Sequence, residues 1–253
     1  MFHPVTRSRG LARRLLGGCL TSAALCIAGL ASGSNPFLEV PAETEARSSA
    51  AYRYANLENE QAFKELDRRG VRYRRLPDPV PGVRAPIRLL APLRGVLIRS
   101  VLPEPERAES AYEILDARLA LALHDFCLIL SHHDVVEVVH FTMYRSPQQG
   151  PADADHPQTR HPGGLAIDLG AMRKADGSWL SVGPHWEGSI GAKTCGPGAR
   201  KLIPRRAREL RSILCEANDQ RLFHYMLSPH FDEAHDDHFH LEIKPGVKWF
   251  IAN

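Results

Sequence analysis

Much of what would assign this sequence to a common enzyme class is missing from it. It has no glycine-rich phosphate loop, no His-Glu-x-x-His helix, no Ser/His/Asp signature and no nucleotide motif. Nothing therefore supports nucleotide chemistry, zincin-type hydrolysis or a serine hydrolase. Internal repeats are absent, as is any basic stripe interleaved with aromatic residues. Charge of one sign is lacking too: 32 Lys and Arg stand against 29 Asp and Glu. Four of the basic residues (Arg7, Arg9, Arg13, Arg14) crowd into the first fourteen positions, and the other 28 nearly balance the acids. No nucleic-acid partner is implied. Cysteine is scarce, with five in the chain.

The 253 residues, 43% of them hydrophobic, suffice for one globular domain with its own core. The early arginines precede an apolar run over residues 15–31, followed by Ser32, Gly33 and Ser34. A basic start, an apolar stretch and small residues read as a secretory signal peptide over residues 1–33. The run is slightly short of the ~20 residues a membrane span needs. If uncleaved it would be an N-terminal anchor, the chain's one membrane contact. Residues 34–50, rich in Ser, Ala, Glu and Pro, read as a disordered linker, leaving 51–253 as the domain. Cys19 and Cys26 fall in the N-terminal segment. Of the other three, Cys195 lies in a glycine-rich loop and Cys215 on a helix after it, so these are the preferred disulfide. Cys127, in an apolar helical run, is expected as a buried, inert thiol.

Apolar spacing predicts helices over 58–69, 106–130 and 204–217. Strands are expected over 135–143, 165–169, 222–227 and 238–243, with short strands and turns across the proline-broken stretch 84–101. Helices and strands alternate irregularly, without βαβ units. That pattern predicts a single α+β domain with a central antiparallel sheet and flanking helices.

Two segments carry the chemistry. In the strand over 238–243, His238, His240 and Glu242 share one face, while Phe239, Leu241 and Ile243 share the other. In 165–169, Leu165, Ile167 and Leu169 point inward, and Ala166 and Asp168 outward. Two strands presenting ionisable groups opposite an apolar face could lie side by side. His161 would join them from the loop before the second, where Gly163 and Gly164 permit a tight turn. Imidazoles plus a carboxylate are the ligands zinc prefers. A lone His or Asp on such a face is usually just solvated, and thirteen histidines make chance clusters easy. His-x6-Asp followed by Asp-His-x-His, each on a matching strand pattern, is more specific. Spacing alone leaves both His238 and His240 open as ligand, with His235 a further candidate below them.

These motifs resemble those of the zinc peptidase superfamily of D-alanyl-D-alanine peptidases and lysostaphin-type enzymes, which includes the hedgehog signalling domain. Within it, residues 63–243 look most like the extensin-like C-terminal domain family of bacterial proteins. The likeness rests on Tyr144, Arg145 and Ser146, on the segment 160–168, and above all on 227–242. Thr159 stands where members often carry Ser, and Ala117 where many carry Cys. The resemblance implies that His161, Asp168 and His240 bind zinc, with His238 beside the metal and Asp237 at the general acid/base position. Arg145 would join His238 in stabilising the oxyanion or holding a substrate carboxylate; its alternative is an ordinary surface salt bridge. Together with the export signal, this implies a zinc-dependent peptidase in the periplasm or cell envelope, acting on peptidoglycan peptides as a D,D-carboxypeptidase or endopeptidase. The rival expectation is a non-catalytic, zinc-containing module that binds the cell wall or serves structurally. A zinc hydrolase of non-wall peptides ranks third.

Overall fold

The computed structural model describes residues 35–147 and 158–253. The basic–apolar N-terminal segment with Cys19 and Cys26, and His156, lie outside the described residues. No helix among those described is long and apolar enough to cross a membrane.

The elements run β1 (Leu38–Glu39), α1 (Glu43–Ser48), α2 (Ala50–Ala55), α3 (Asn59–Arg68), β2 (Tyr73–Arg75), β3 (Pro86–Leu89), β4 (Leu97–Ser100) and α4 (Glu104–Arg107). They continue with β5 (Leu115–Asp116), α5 (Ala117–His132), β6 (Val135–His140), β7 (Ala166–Lys174), β8 (Trp179–Ser181), α6 (Val182–His185), α7 (Arg205–Asp219), β9 (Tyr225–Leu227), β10 (Phe239–Glu242) and β11 (Phe250–Ala252). Eight strands form one sheet in the order β1-β11-β9-β10-β7-β6-β4, with β8 added alongside β7. Its neighbours are antiparallel except for the pairs β11–β9 and β4–β6. Strands β2, β3 and β5 make a small antiparallel sheet. The expected α+β class holds, with a mixed rather than purely antiparallel main sheet.

Helix α5 explains where the core sits. Twelve of its 16 residues are buried, so it is apolar nearly all round and must be covered on several sides. It packs against β6 and against α2, α3 and α7. The sheet face carrying Ile167, Leu169, Phe239 and Leu241 joins the same core, which leaves the opposite face free to build a site.

The helix predicted over 106–130 begins only at Ala117. Asp116 stops it from extending backward: one carboxylate oxygen accepts from the Arg118 backbone N–H and the other from the Ala85 N–H. Arg118, itself buried, pairs with Asp116 and donates to the Leu57 carbonyl and Asn59. Upstream, Ser110 caps a 3-10 turn over Ala111–Glu113. These side-chain bonds compete with the helix and win.

The described part of 34–50 is also ordered, which corrects the linker expectation. Leu38 pairs with Ile251, Ala46 enters the core, and Ser49 caps α2 by accepting from the Tyr52 N–H. Arg221 reaches both Glu39 and Glu45. Composition scored this stretch as polar, and the docking is carried by a few small or capping residues. Cys195 and Cys215 are disulfide-bonded and Cys127 is a buried free thiol, both as predicted. Burial raises the Cys127 pKa, keeping it a thiol.

Candidate metal centre

Strand register brings the first two groups together. Strand β10 pairs antiparallel with β7 so that His240 lies opposite Asp168, on the face away from the core. Directly paired residues hold their Cβ atoms roughly 5 Å apart, and here His240 Nδ1 comes within 3.0 Å of Asp168 Oδ1. The third group arrives through a turn. His161 opens a 3-10 turn over His161–Gly163, with Arg160 at φ 57° before it and Gly164 at φ 62° after it. A side chain at Gly164 would stand 2.8 Å from the Asp116 nitrogen, and one at Gly163 would be 2.1 Å from the Gln158 carbonyl oxygen. The turn is therefore tight enough to require both glycines, and it aims His161 Nε2 to within 3.0 Å of the same Asp168 Oδ1.

His161, Asp168 and His240 are all buried, and their ligand atoms lie within 4.8 Å of one another. Each imidazole has an outer partner that fixes its orientation. His161 Nδ1 lies 3.4 Å from the Met143 carbonyl oxygen, and His240 Nε2 lies 3.3 Å from Glu242 Oε2. Outer partners of this kind set the tautomer of metal-binding histidines. Two imidazole nitrogens, one carboxylate oxygen and an open side suit a metal ion of the catalytic type.

Burial lowers the pKa of His161, against the pull of Asp168. Burial acts on His240 in the same direction, but hydrogen bonds to Asp168 and Glu242 overcome it and raise the pKa. Burial also opposes ionisation of Asp168, yet bonds to the two histidines hold it well below the usual carboxylate range. Without metal, a second ring proton is therefore favoured on His240, the imidazole with two carboxylate neighbours, over His161. An ion there would displace that proton.

The other predicted residues surround this cluster. His238 Nε2 is 3.5 Å from Asp168 Oδ1, and its ring meets Phe141 edge-on. Arg145 Nη2 is 3.4 Å from Asp168 Oδ2, with 58% of its side chain exposed. The group stands at a cleft of about 530 Å³ lined also by Arg160, Leu227 and His235. His235 is tied to Asp232 at 2.6 Å, and its ring centroid is 5.2 Å from that of His238. Asp237 is set back: its largely exposed carboxylate lies 2.8 Å from His238 Nδ1, on the side of the ring away from the cluster. His140, His224 and His230 are buried away from the cluster, and His132, His133 and His185 also take no part in it.

Glu242 lies on the strand face that alternation predicts, and the spacing His-x-His-x-Glu is the signal for its place behind His240. Arg160, beside His161, carries no such signal in the sequence.

The family model described as extensin-like protein C-terminus matches residues 64–250. No curated protein and no solved structure matches the chain.

Proposed function

This chain belongs to the extensin-like C-terminal family, and we propose that it is a zinc-dependent peptidase of the cell envelope that hydrolyses peptide bonds in peptidoglycan. One observation carries the proposal: His161, Asp168 and His240 converge, buried and outwardly braced, at the edge of an open cleft. Three protein ligands with room for a fourth is how catalytic zinc is held, whereas structural zinc sites are closed by four. We extend the family placement to the zinc D-alanyl-D-alanine peptidase, lysostaphin and hedgehog-type superfamily on the His-x6-Asp and Asp-His-x-His motifs. Residues 1–33, as an export signal or anchor, would put the protein in the periplasm or envelope.

A bound zinc ion would supply Lewis acidity toward water and the scissile carbonyl. The residues supply the rest. His238 presents Nε2 toward the cluster and Nδ1 toward Asp237, a path by which a proton leaving the cleft can pass to the Asp237 carboxylate and return to the leaving amine. Arg145, exposed at the cleft and already near Asp168, can turn its guanidinium to a developing oxyanion or a terminal carboxylate.

The set-back position of Asp237 favours the second reading, a wall-binding module that keeps the metal without turnover. Incubation of the zinc-loaded protein with purified peptidoglycan separates the two. Mass spectrometry should detect newly released peptides or D-alanine, abolished by a chelator. Asp237→Ala should retain zinc and lose about 10²–10⁴-fold in rate. Binding to several wall types with no zinc-dependent product would establish the module instead.

A further inference from the structure

Glu242 follows His240 by two residues on β10, so both point to the cleft side of the sheet in successive rows. The first row is Leu227, His240, Asp168; the second is Tyr225, Glu242, Ala166. Glu242 is 0% exposed. Its Oε2 lies 3.3 Å from His240 Nε2 and 3.5 Å from Arg160 Nε, and its Oε1 has no hydrogen-bond partner among the described residues. A buried carboxylate costs several kcal/mol of desolvation, and one with an idle oxygen recovers only part of it. The charge is held by His240 on one side and Arg160 on the other.

Arg160 is the second unusual residue. It precedes His161 with φ 57° and ψ −145°, a backbone region that costs non-glycine residues about 1–3 kcal/mol. The carbonyl of Arg160 accepts from the Gly163 and Leu165 N–H groups, locking that conformation. Its guanidinium lies 5.7 Å from the centroid of the Tyr225 ring, next to Glu242, with 56% of the side chain exposed to the cleft. One short turn thus delivers a ligand, His161, and the countercharge of the carboxylate behind the other imidazole.

We propose that Glu242 and Arg160 are a positioning pair for the metal centre: Glu242 fixes His240 with Nδ1 toward the ion, and Arg160 holds the Glu242 carboxylate from the cleft side. The proposal rests on the zinc reading above. Glu242 accepts the Nε2–H of His240, which excludes the tautomer that would leave Nδ1 protonated and unable to bind. It also makes the ring a stronger donor. Arg160 offsets the Glu242 charge, so the site keeps net affinity for a dication without an unbalanced buried acid.

The test measures the zinc dissociation constant by chelator competition, the absorption spectrum of the cobalt-substituted protein, and the thermal unfolding of the metal-free forms. Glu242→Gln and Glu242→Leu should weaken zinc about 10- to 100-fold and shift the cobalt bands. Their metal-free forms should still unfold cooperatively, at a temperature somewhat below the wild type because His240 and Arg160 lose a partner. Arg160→Gln should weaken zinc by a smaller factor and lower the metal-free unfolding temperature slightly, since Glu242 loses its countercharge. Zinc affinity and cobalt spectrum unaltered in the Glu242 variants would overturn the pair, whatever their stability. A wild-type chain that binds no zinc would remove the peptidase reading itself.

Discussion

His224 shows how one buried side chain can set the acid limit of the fold. It is 0% exposed, stacks on Phe250, and accepts at Nδ1 from the Lys244 N–H. Burial, assisted by the nearby Lys244 and only partly offset by the Val247 backbone, lowers its pKa to about 4. An unfolded chain would protonate it near pH ~6.5. Between those values the unfolded state holds a proton that the native state does not, so stability falls as the pH drops through this window. The full effect is about 3 kcal/mol. Comparing denaturant unfolding at about pH 7 and about pH 4, His224→Gln should lose some 2–3 kcal/mol less than the wild type. Equal losses would show that His224 is not buried in its neutral form. At this scale the sequence was informative where strand alternation decides facing, as for His240, Glu242 and Asp168. It was blind to Asp237, whose set-back position depends on the irregular turn before β10, and to the second role of Glu242, because an acid on a polar strand face looks like any solvated residue.

At the scale of elements, the site is a product of pairing register. A slip of one residue between β10 and β7 would put Phe239 or Leu241 where His240 stands, and the apolar face of both strands, buried against the core, holds that register. The turn before β7 is the other determinant. Gly164 occupies a left-handed conformation, and an added Cβ would press on the backbone of β5. Gly164→Ala should therefore destabilise the protein by about 1–3 kcal/mol in thermal or denaturant unfolding. Wild-type stability in that variant would mean the turn is not constrained as described. Strand β7 itself was legible only in part. The expected strand stopped at Leu169, but the chain continues to Lys174 because Met172 packs inward while Arg173 pairs with Glu137 on β6. That extension depends on partners distant in sequence. The late start of α5 has the same character, since the bond from the Ala85 N–H to the Asp116 carboxylate crosses 31 positions.

At the scale of the whole molecule, the α+β class was readable because periodicity and element order are local properties, whereas sheet order and the two parallel pairs are not. The disulfide was anticipated; it closes a separation of 20 residues between the glycine-rich loop and α7, and by chain entropy such a bridge stabilises by about 3 kcal/mol. The segment before α2 was misjudged because small and polar residues can dock through backbone pairing and capping, which composition does not register. What the fold achieves as a whole is to join a turn at 161, a strand at 168 and a strand near the C-terminal end of the chain, at 240, around one point. Zinc content per chain, measured by mass spectrometry on protein loaded with zinc and then dialysed, tests that convergence most directly. The wild type should retain about one ion per chain, as expected for a single three-ligand site, and His240→Ala should retain almost none. Zinc held by the variant at the wild-type level, or absent from both, would contradict it.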